Sequence, residues 1–220
     1  MELIANIKDD GTLVRVTSID DRGDRQTYKV SINDFISSMT AGTANEMLFF
    51  PRNGKVPKTL YDFQMARNAS AFSCHAIFVF PAGKYLIDYC GENFYAALPD
   101  IVFDFYVKNE ELAKDRSMVY AEKEGILYRY PLSNVYEGGR ICWGSLKLPK
   151  VKNFGDLEKV CELFLQARGN SDLSGYIANT RYKSMGQFLK KLDTLDEYPD
   201  DAYWDLSPYK CKLDDLLETN

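Results

Sequence analysis

One short stretch of this chain combines residue types that suit acyl-transfer chemistry. It spans residues 130–145 and contains Asn134, a Gly138-Gly139 pair and, eight residues after the asparagine, Cys142. Pro131 and the glycine pair interrupt regular strand pairing, so residues 134–140 are predicted to form an irregular loop whose backbone is fixed locally. Loops of this kind often hold reactive groups on a rigid frame. Cys142 is therefore the candidate nucleophile.

The chemistry that suits Cys142 is transfer of an acyl group through a thioester. A cysteine supplies some thiolate near neutral pH, so it needs no adjacent histidine base. When an amine then attacks the thioester, negative charge develops on the carbonyl oxygen, and one side-chain amide donor stabilises it by roughly 3 kcal/mol. Asn134 is the candidate donor. A second role stays open for it, which is to hold the loop by bonding backbone groups.

The order of residues around the cysteine resembles the active-site region of the ubiquitin-conjugating enzymes. In that family His-Pro-Asn is followed by an apolar-aromatic pair, a glycine turn and a cysteine eight residues after the asparagine. Here Asn134-Val135-Tyr136 is followed by Gly139 and by Cys142 at the same spacing. The longer string Asn-Val-Tyr-Glu-Gly-Gly-Arg-Ile-Cys-Trp-Gly-Ser is still more similar to prokaryotic family D, the branch that includes protein B of the PRTRC systems.

The resemblance implies roles for further side chains. In the family, the loop after the next helix often carries an acidic residue facing the cysteine, and Asp172 corresponds to it here; it would orient or help deprotonate an incoming amine. Tyr136, Arg140 and Trp143 are the expected substrate-binding residues. Arg140 would pair with the carrier's C-terminal tail, unless it is an ordinary surface arginine, and Trp143 would form a wall beside the thioester. Leu132-Ser133 replaces the family's His-Pro, which concerns loop packing more than chemistry.

The resemblance also implies partners. The expected setting is a bacterial ubiquitin-like modification pathway, in which a ThiF-like adenylating enzyme activates a ubiquitin-like protein and passes it to Cys142. An acceptor nucleophile then receives it, and a JAB-type peptidase is a candidate further member of the pathway. No cofactor and no metal are expected on this chain, because the activating enzyme consumes the ATP.

Two other functions are open at this point. Cys142 and His75, the one histidine of the chain, would form the dyad of a cysteine hydrolase if their side chains came within hydrogen-bond reach. Alternatively, the fold is kept without chemistry, as a scaffold that binds the activating enzyme or the modifier. Inactive variants usually lack the cysteine, so its presence favours the enzyme.

The remaining cysteines carry no metal or disulfide pattern. The chain has five cysteines, with no CxxC pair, and an odd number cannot all be bridged within one chain. A reducing cytoplasm fits this usage best, and a zinc site would need ligands at shorter spacings. Cys74, Cys90 and Cys161 are predicted to be small core residues.

Composition bounds the class of protein. With 45% hydrophobic and 27% charged residues, the 220-residue chain has the balance of a soluble globular protein. The net charge of -5, with both signs mixed along the chain, offers no broad cationic face for nucleic acid. No apolar run approaches the roughly 20 residues that span a bilayer, and the first ten residues do not form a secretory signal. A cytoplasmic protein with no membrane partner is expected.

Strand patterns come first along the chain. Alternating apolar residues over 3–7 and 12–19, separated by an Asp-Gly pair, predict a β-hairpin. A short helix is expected at 33–39, and loops with one strand near 47–50 fill residues 40–70. Five segments rich in aromatic and β-branched residues then predict an antiparallel meander: 75–80, 84–89, 93–97, 101–107 and 118–121.

Helices follow the cysteine. Apolar residues from Leu157 to Leu165 recur at the spacing of one helical face, with Asp156 as the expected cap and Gly169 as the expected stop. Further helices are expected at 184–192 and 213–217. Strands followed by helices indicate an α+β fold. The resemblance specifies a ubiquitin-conjugating (UBC-like) fold, with residues 1–70 as an N-terminal extension packed on the core and 71–220 as the catalytic core.

Overall fold

The structure, a computed structural model, describes residues 2–7, 13–19, 25–32, 56–66, 69–173, 182–206 and 208–217. The first three strands form an antiparallel sheet in chain order: β1 (Glu2–Ile7), β2 (Leu13–Ile19) and β3 (Arg25–Ser31). The predicted hairpin is thus confirmed. The predicted helix at 33–39 and strand at 47–50 lie outside the described residues. Val14 on β2 belongs to the main hydrophobic core, so this small sheet packs on the rest of the protein.

A seven-stranded antiparallel sheet forms the centre of the protein. Its order is β12-β11-β10-β8-β5-β4, with β9 paired to the end of β8. The strands are β4 (Leu60–Met65), β5 (Cys74–Phe80), β8 (Asp100–Lys108), β9 (Glu111–Leu112), β10 (Met118–Lys123), β11 (Ile126–Arg129) and β12 (Pro208–Lys212). Because β4 pairs with β5, the sheet includes residues on both sides of position 70.

The predicted meander is wrong in its pairing. β5 pairs with β8 rather than with the next strand, while β6 (Gly83–Tyr89) and β7 (Glu92–Leu98) form a separate two-stranded hairpin. The β6–β7 hairpin is inserted between β5 and β8 along the chain. Its strands show the same alternation of apolar and polar residues as two meander strands, so the periodicity does not distinguish the two arrangements. The strands at β4, β11 and β12 were not predicted.

In the described residues, two α-helices complete the fold. Helix α1 (Phe154–Leu165) has its cap at Asn153, three residues before the predicted cap Asp156, because the Asn153 side chain accepts a hydrogen bond from the Asp156 amide at 2.9 Å. It ends at Leu165, before the predicted stop. Helix α2 (Met185–Asp193) is confirmed, with Ser184 as its cap. In place of the predicted helix at 213–217 there is one 3₁₀ turn, Leu213–Asp215.

The two faces of the large sheet are covered differently. The apolar stripe of α1 packs on one face, where Phe164 contacts the rings of Phe103 and Trp143. The other face carries a smaller cluster closed by Leu213 and Leu216, from the segment after β12. The fold is therefore α+β, with the cysteine loop lying between β11 and α1. In the described part of the chain, no helix is long and apolar enough to cross a membrane.

Candidate active site

The stretch around Cys142 is a tight loop closed by its own short ladder. Val135 and Ile141 form an antiparallel bridge, and the Cys142 amide donates to the carbonyl of Asn134 at 2.8 Å. One step further, the Tyr136 amide donates to the Arg140 carbonyl at 2.9 Å. The flanks of the loop, at 135–136 and 140–142, are thus strand-like, and the irregular backbone predicted for 134–140 is found at Asn134 and in the turn at 137–139.

This ladder is joined to the edge of β10. Met118 and Arg140 form a bridge, and the Ile141 amide donates to the Ser117 carbonyl at 2.8 Å. At the turn, Gly139 has a φ of +86°, and a Cβ on it would lie 2.7 Å from the Tyr120 ring. Only glycine fits both the backbone conformation and the space. The loop is therefore built against the large sheet.

The ladder determines which side chains face outward. Successive residues of an extended chain point to opposite sides. Val135 and Ile141 are buried in the main core. The alternate residues, Tyr136, Arg140 and Cys142, consequently share the outer face of the loop. The structure thus brings together three of the residues predicted for the site.

The Cys142 thiol is half-buried and contacts the Tyr136 side chain. The Tyr136 hydroxyl donates to Cys142 Sγ at 3.5 Å, and the Arg140 guanidinium lies 4.3 Å from the centre of the same ring. The hydrogen bond to Cys142 and the charge interaction with its sulfur raise the pKa of Tyr136. Tyr136 therefore keeps its proton and remains a hydrogen-bond donor beside the sulfur.

Asn134 anchors the loop to the segment that follows α1. It has a φ of +65°, a conformation that asparagine adopts more readily than most residues. Its Nδ2 donates to the Arg168 carbonyl at 3.1 Å. The next residue, Gly169, donates to the Asp88 carbonyl at 2.7 Å and accepts from the Cys90 amide at 2.9 Å. This anchor segment, Arg168-Gly169, therefore connects the cysteine loop with the β6–β7 hairpin.

Sequence reasoning treated Gly169 only as a helix stop and missed this role. A Cβ at Gly169 would collide with the Ser133 hydroxyl and approach the Tyr89 ring. The Arg168 Nε also pairs with Asp88 at 2.9 Å. No local sequence signal marks such a connection, since its partners lie more than 30 residues away.

Asp172 lies three residues beyond the anchor segment. It is exposed, and its described hydrogen bonds are to Asn170: the Asp172 amide donates to Oδ1 at 3.0 Å, and Asn170 Nδ2 donates to the carboxylate at 3.1 Å. None of these bonds joins it to Cys142. Its predicted catalytic role stays a prediction.

Trp143 is turned into the core. It is 7% exposed and packs between Phe105 and Phe164, with ring centres 6.2 and 6.0 Å away. It supports the loop from the inner side. Its predicted contact with substrate stays untested.

His75 has other partners than the thiol. Its Nε2 lies 2.6 Å from Asp104 Oδ1, and its ring stacks on Tyr106 at 3.8 Å. The residue is 5% exposed. The described contacts of His75 and Cys142 do not join the two side chains, so they give no support to a hydrolase dyad.

The other cysteines differ in their surroundings. Cys74 and Cys161 are buried as predicted, and burial raises the pKa of Cys74 to about 12 and that of Cys161 well above its usual range. The prediction for Cys90 is wrong. It is exposed at a φ of +53° in the turn between β6 and β7, which pair with each other in a separate two-stranded sheet. In the described part of the chain, no three potential ligand side chains gather into a metal site.

Comparison with known proteins gives one match. The family model of prokaryotic E2 family D matches residues 91–205, which include the cysteine loop and both α-helices. No curated protein and no solved structure matches the chain.

Proposed function

Since this chain belongs to prokaryotic E2 family D, and so has a ubiquitin-conjugating-like role in general, we propose that Cys142 carries a ubiquitin-like protein as a thioester and passes it to an acceptor nucleophile. Family membership implies a ubiquitin-like modifier and an activating enzyme as partners in general terms. The proposal adds a ThiF-like adenylating enzyme, a JAB-type peptidase in the same pathway, a UBC-like fold for the core and a bacterial cytoplasmic setting.

One observation carries the proposal. The matched region contains two cysteines, Cys142 and Cys161. Cys161 is 0% exposed on the buried stripe of α1, and its raised pKa disfavours the thiolate. Cys142 is the cysteine of this region that a large partner can reach. It is held on a loop whose backbone is bonded on both sides.

Loading is a transthiolation. Cys142 Sγ attacks the carbonyl carbon of the activating enzyme's thioester, a new C–S bond forms, and the activating enzyme's sulfur leaves as a thiolate. Nothing is oxidised or reduced. Tyr136 and Arg140, stacked on the outer face of the loop, are placed to contact the tail of the incoming carrier. Trp143 packs beneath the loop and keeps its inner side dry.

Discharge is an acyl transfer to the acceptor. An amine nitrogen attacks the thioester carbon, the C–Sγ bond breaks, and the electron pair returns to the sulfur. Asp172 is the proposed group that orients the amine and accepts its proton. Asn134 contributes by anchoring the loop, which the Nδ2 bond to the Arg168 carbonyl supports.

The test is an ATP-dependent charging reaction with a ThiF-like activating enzyme and a ubiquitin-like modifier from the same organism. The expected product is an adduct on Cys142 that a thiol reductant removes. Omitting ATP is the first control, and Cys142→Ala is the second. An adduct that fails to form, resists reductant or persists in Cys142→Ala contradicts the proposal.

A further inference from the structure

The hydroxyl of Tyr136 is the side-chain donor that contacts the reacting sulfur. Among the described residues, the Cys142 Sγ accepts a hydrogen bond from this group alone. Asn134, the donor expected from sequence, already uses its Nδ2 on the Arg168 carbonyl. The structure thus separates the group that anchors the loop from the group that touches the thiol.

The Tyr136 ring is held in place before any substrate arrives. Its backbone amide bonds the Arg140 carbonyl, and the Arg140 guanidinium covers the ring. The next residue, Glu137, has its carbonyl bonded by the Tyr209 hydroxyl at 2.9 Å. A donor fixed in this way needs little reorganisation when charge develops beside it, which is what makes such donors effective in catalysis.

We propose that Tyr136 is a catalytic residue whose hydroxyl stabilises the Cys142 thiolate before loading and the carbonyl oxygen of the thioester during discharge. The inference rests on the proposed function. The carbonyl oxygen is two bonds from Sγ, so a hydroxyl already bonded to the sulfur is within reach of it. The Tyr136 hydroxyl donates first to Sγ, then to the carbonyl oxygen when that atom becomes negative, and again to Sγ when the thiolate is restored.

In discharge, one bond forms and one bond breaks at the thioester carbon. The amine's lone pair forms a C–N bond to the thioester carbon, and the carbonyl's π electrons move to its oxygen, which accepts the Tyr136 hydrogen bond. Collapse of this intermediate restores the carbonyl and breaks the C–Sγ bond. The electron pair returns to sulfur, where the same hydroxyl donates again, and the ammonium proton leaves for a base or water. Tyr136 keeps its own proton throughout, consistent with its raised pKa.

The test uses Tyr136→Phe, with Tyr209→Phe as the matched control. Both changes remove one phenolic hydroxyl, and both hydroxyls bond the same loop, but only that of Tyr136 reaches Sγ. The parent is Cys90→Ser, Cys211→Ser, because those two thiols are also accessible. A glycylglycine aryl thioester serves as the probe that loads Cys142, so no activating enzyme is needed.

Two readouts are measured on each variant. Discharge of the loaded protein to hydroxylamine, followed by intact mass, is expected to slow about 10- to 100-fold in Tyr136→Phe and by no more than about 3-fold in Tyr209→Phe. The rate of alkylation of Cys142 by iodoacetamide at a fixed pH is expected to fall in Tyr136→Phe only, because that variant alone loses the hydroxyl bonded to Sγ. A purely structural tyrosine would not change this second rate.

The outcomes separate the two proposals. If the loaded parent discharges no faster than a free alkyl thioester, the glycylglycine thioester of N-acetylcysteine, the proposed function fails. If the parent discharges rapidly but Tyr136→Phe matches it, or if Tyr209→Phe slows discharge equally, only the role of Tyr136 is overturned. Circular dichroism of both variants checks that slow discharge does not come from unfolding.

Discussion

Two loops of this protein bring a cysteine to the surface, and both are bonded to the anchor segment, Arg168-Gly169. The Cys142 loop contacts it through the Asn134 side chain, and the β6–β7 turn contacts it through the Cys90 amide. Both loops contain a glycine with a φ of +86°. The difference lies around the sulfur: Cys142 Sγ accepts a hydrogen bond from Tyr136, whereas Cys90 Sγ has no partner among the described residues.

The comparison teaches that exposure alone does not distinguish the proposed nucleophile from another surface cysteine. Cys90 is the more exposed of the two, yet it lies on a hairpin turn. Cys142 is less exposed and lies on a loop closed by a ladder, bonded to β10 and supported by Trp143 from within. A nucleophile that must hold one geometry through two acyl transfers needs a loop fixed in the way the Cys142 loop is.

The largest effect on adduct formation is expected from replacing each of the two cysteines in turn with alanine. In the charging reaction, Cys142→Ala should lower adduct formation at least about 100-fold, because no described residue donates a hydrogen bond to the Cys90 sulfur. Cys90→Ala should charge at the parent rate. Peptide mapping of the adduct measures this directly. An adduct found on Cys90 in either variant would break the comparison.

The glycines of the two loops give the next largest effect. Gly139→Ala adds the strain of a positive φ and a collision with the Tyr120 ring, so we expect it to lower the free energy of unfolding by about 2–4 kcal/mol. Gly91→Ala adds strain only, about 1–2 kcal/mol, since no atom lies within 4 Å of the added Cβ. Urea unfolding of both variants checks the order. Equal losses would show that the space around Gly139 is not restrictive.

A smaller effect is expected at Asn134, where two substitutions separate its backbone from its amide. Asn134→Gly loses the bond to the Arg168 carbonyl but keeps a residue suited to a φ of +65°, for a loss of about 1 kcal/mol. Asn134→Ala should lose about 1 kcal/mol more, from strain. Urea unfolding measures both values, and discharge to hydroxylamine should be slowed similarly in both. If only the alanine variant is slow, the backbone rather than the amide positions the thiol.

The smallest effect is expected from Arg168→Ala. The bonds that the anchor segment makes to Asn134 and Cys90 use backbone atoms and survive, so only the exposed ion pair with Asp88 is lost. That ion pair, first through its hydrogen bond, lowers the pKa of Asp88 below its ordinary 3.8. Its contribution to stability is therefore fully present above that value and is lost as pH falls through the lowered pKa. Urea midpoints of parent and variant should converge in acid, and a gap that widens there would contradict the assignment.

Local patterns were sufficient for part of this structure. The stripe that ends in Phe164 and Leu165 predicts α1, because one helical face determines it. Ser184 predicts the start of α2. The start of α1 was placed wrongly because Asn153 and Asp156 are both good capping residues, and only the observed hydrogen bond selects between them. Strand pairing was missed because β5 and β8 meet across an inserted hairpin.

Local patterns likewise predict only part of the candidate site. The spacing from Asn134 to Cys142 was visible in the sequence, and it corresponds to the two ends of the ladder. The contact between Tyr136 and Cys142 depends on that ladder folding back on itself. The exposure of Cys90 depends on its place in the tight turn between β6 and β7, which the apolar residues of those strands do not reveal. The partner of Asn134 lies beyond α1, at a distance along the chain that no short motif covers.

The hydrogen bond from Tyr209 to the Glu137 carbonyl has a consequence for how the loop is stabilised during synthesis. It comes from β12, an edge strand of the large sheet that lies beyond the residues shared with the family. Its two residues are separated by 72 positions along the chain. A ribosome must therefore add both helices after the cysteine loop before the loop can gain this hydrogen bond. The loop that holds Cys142 is therefore synthesised before α1, α2 and β12, and its support from β12 is added only after them.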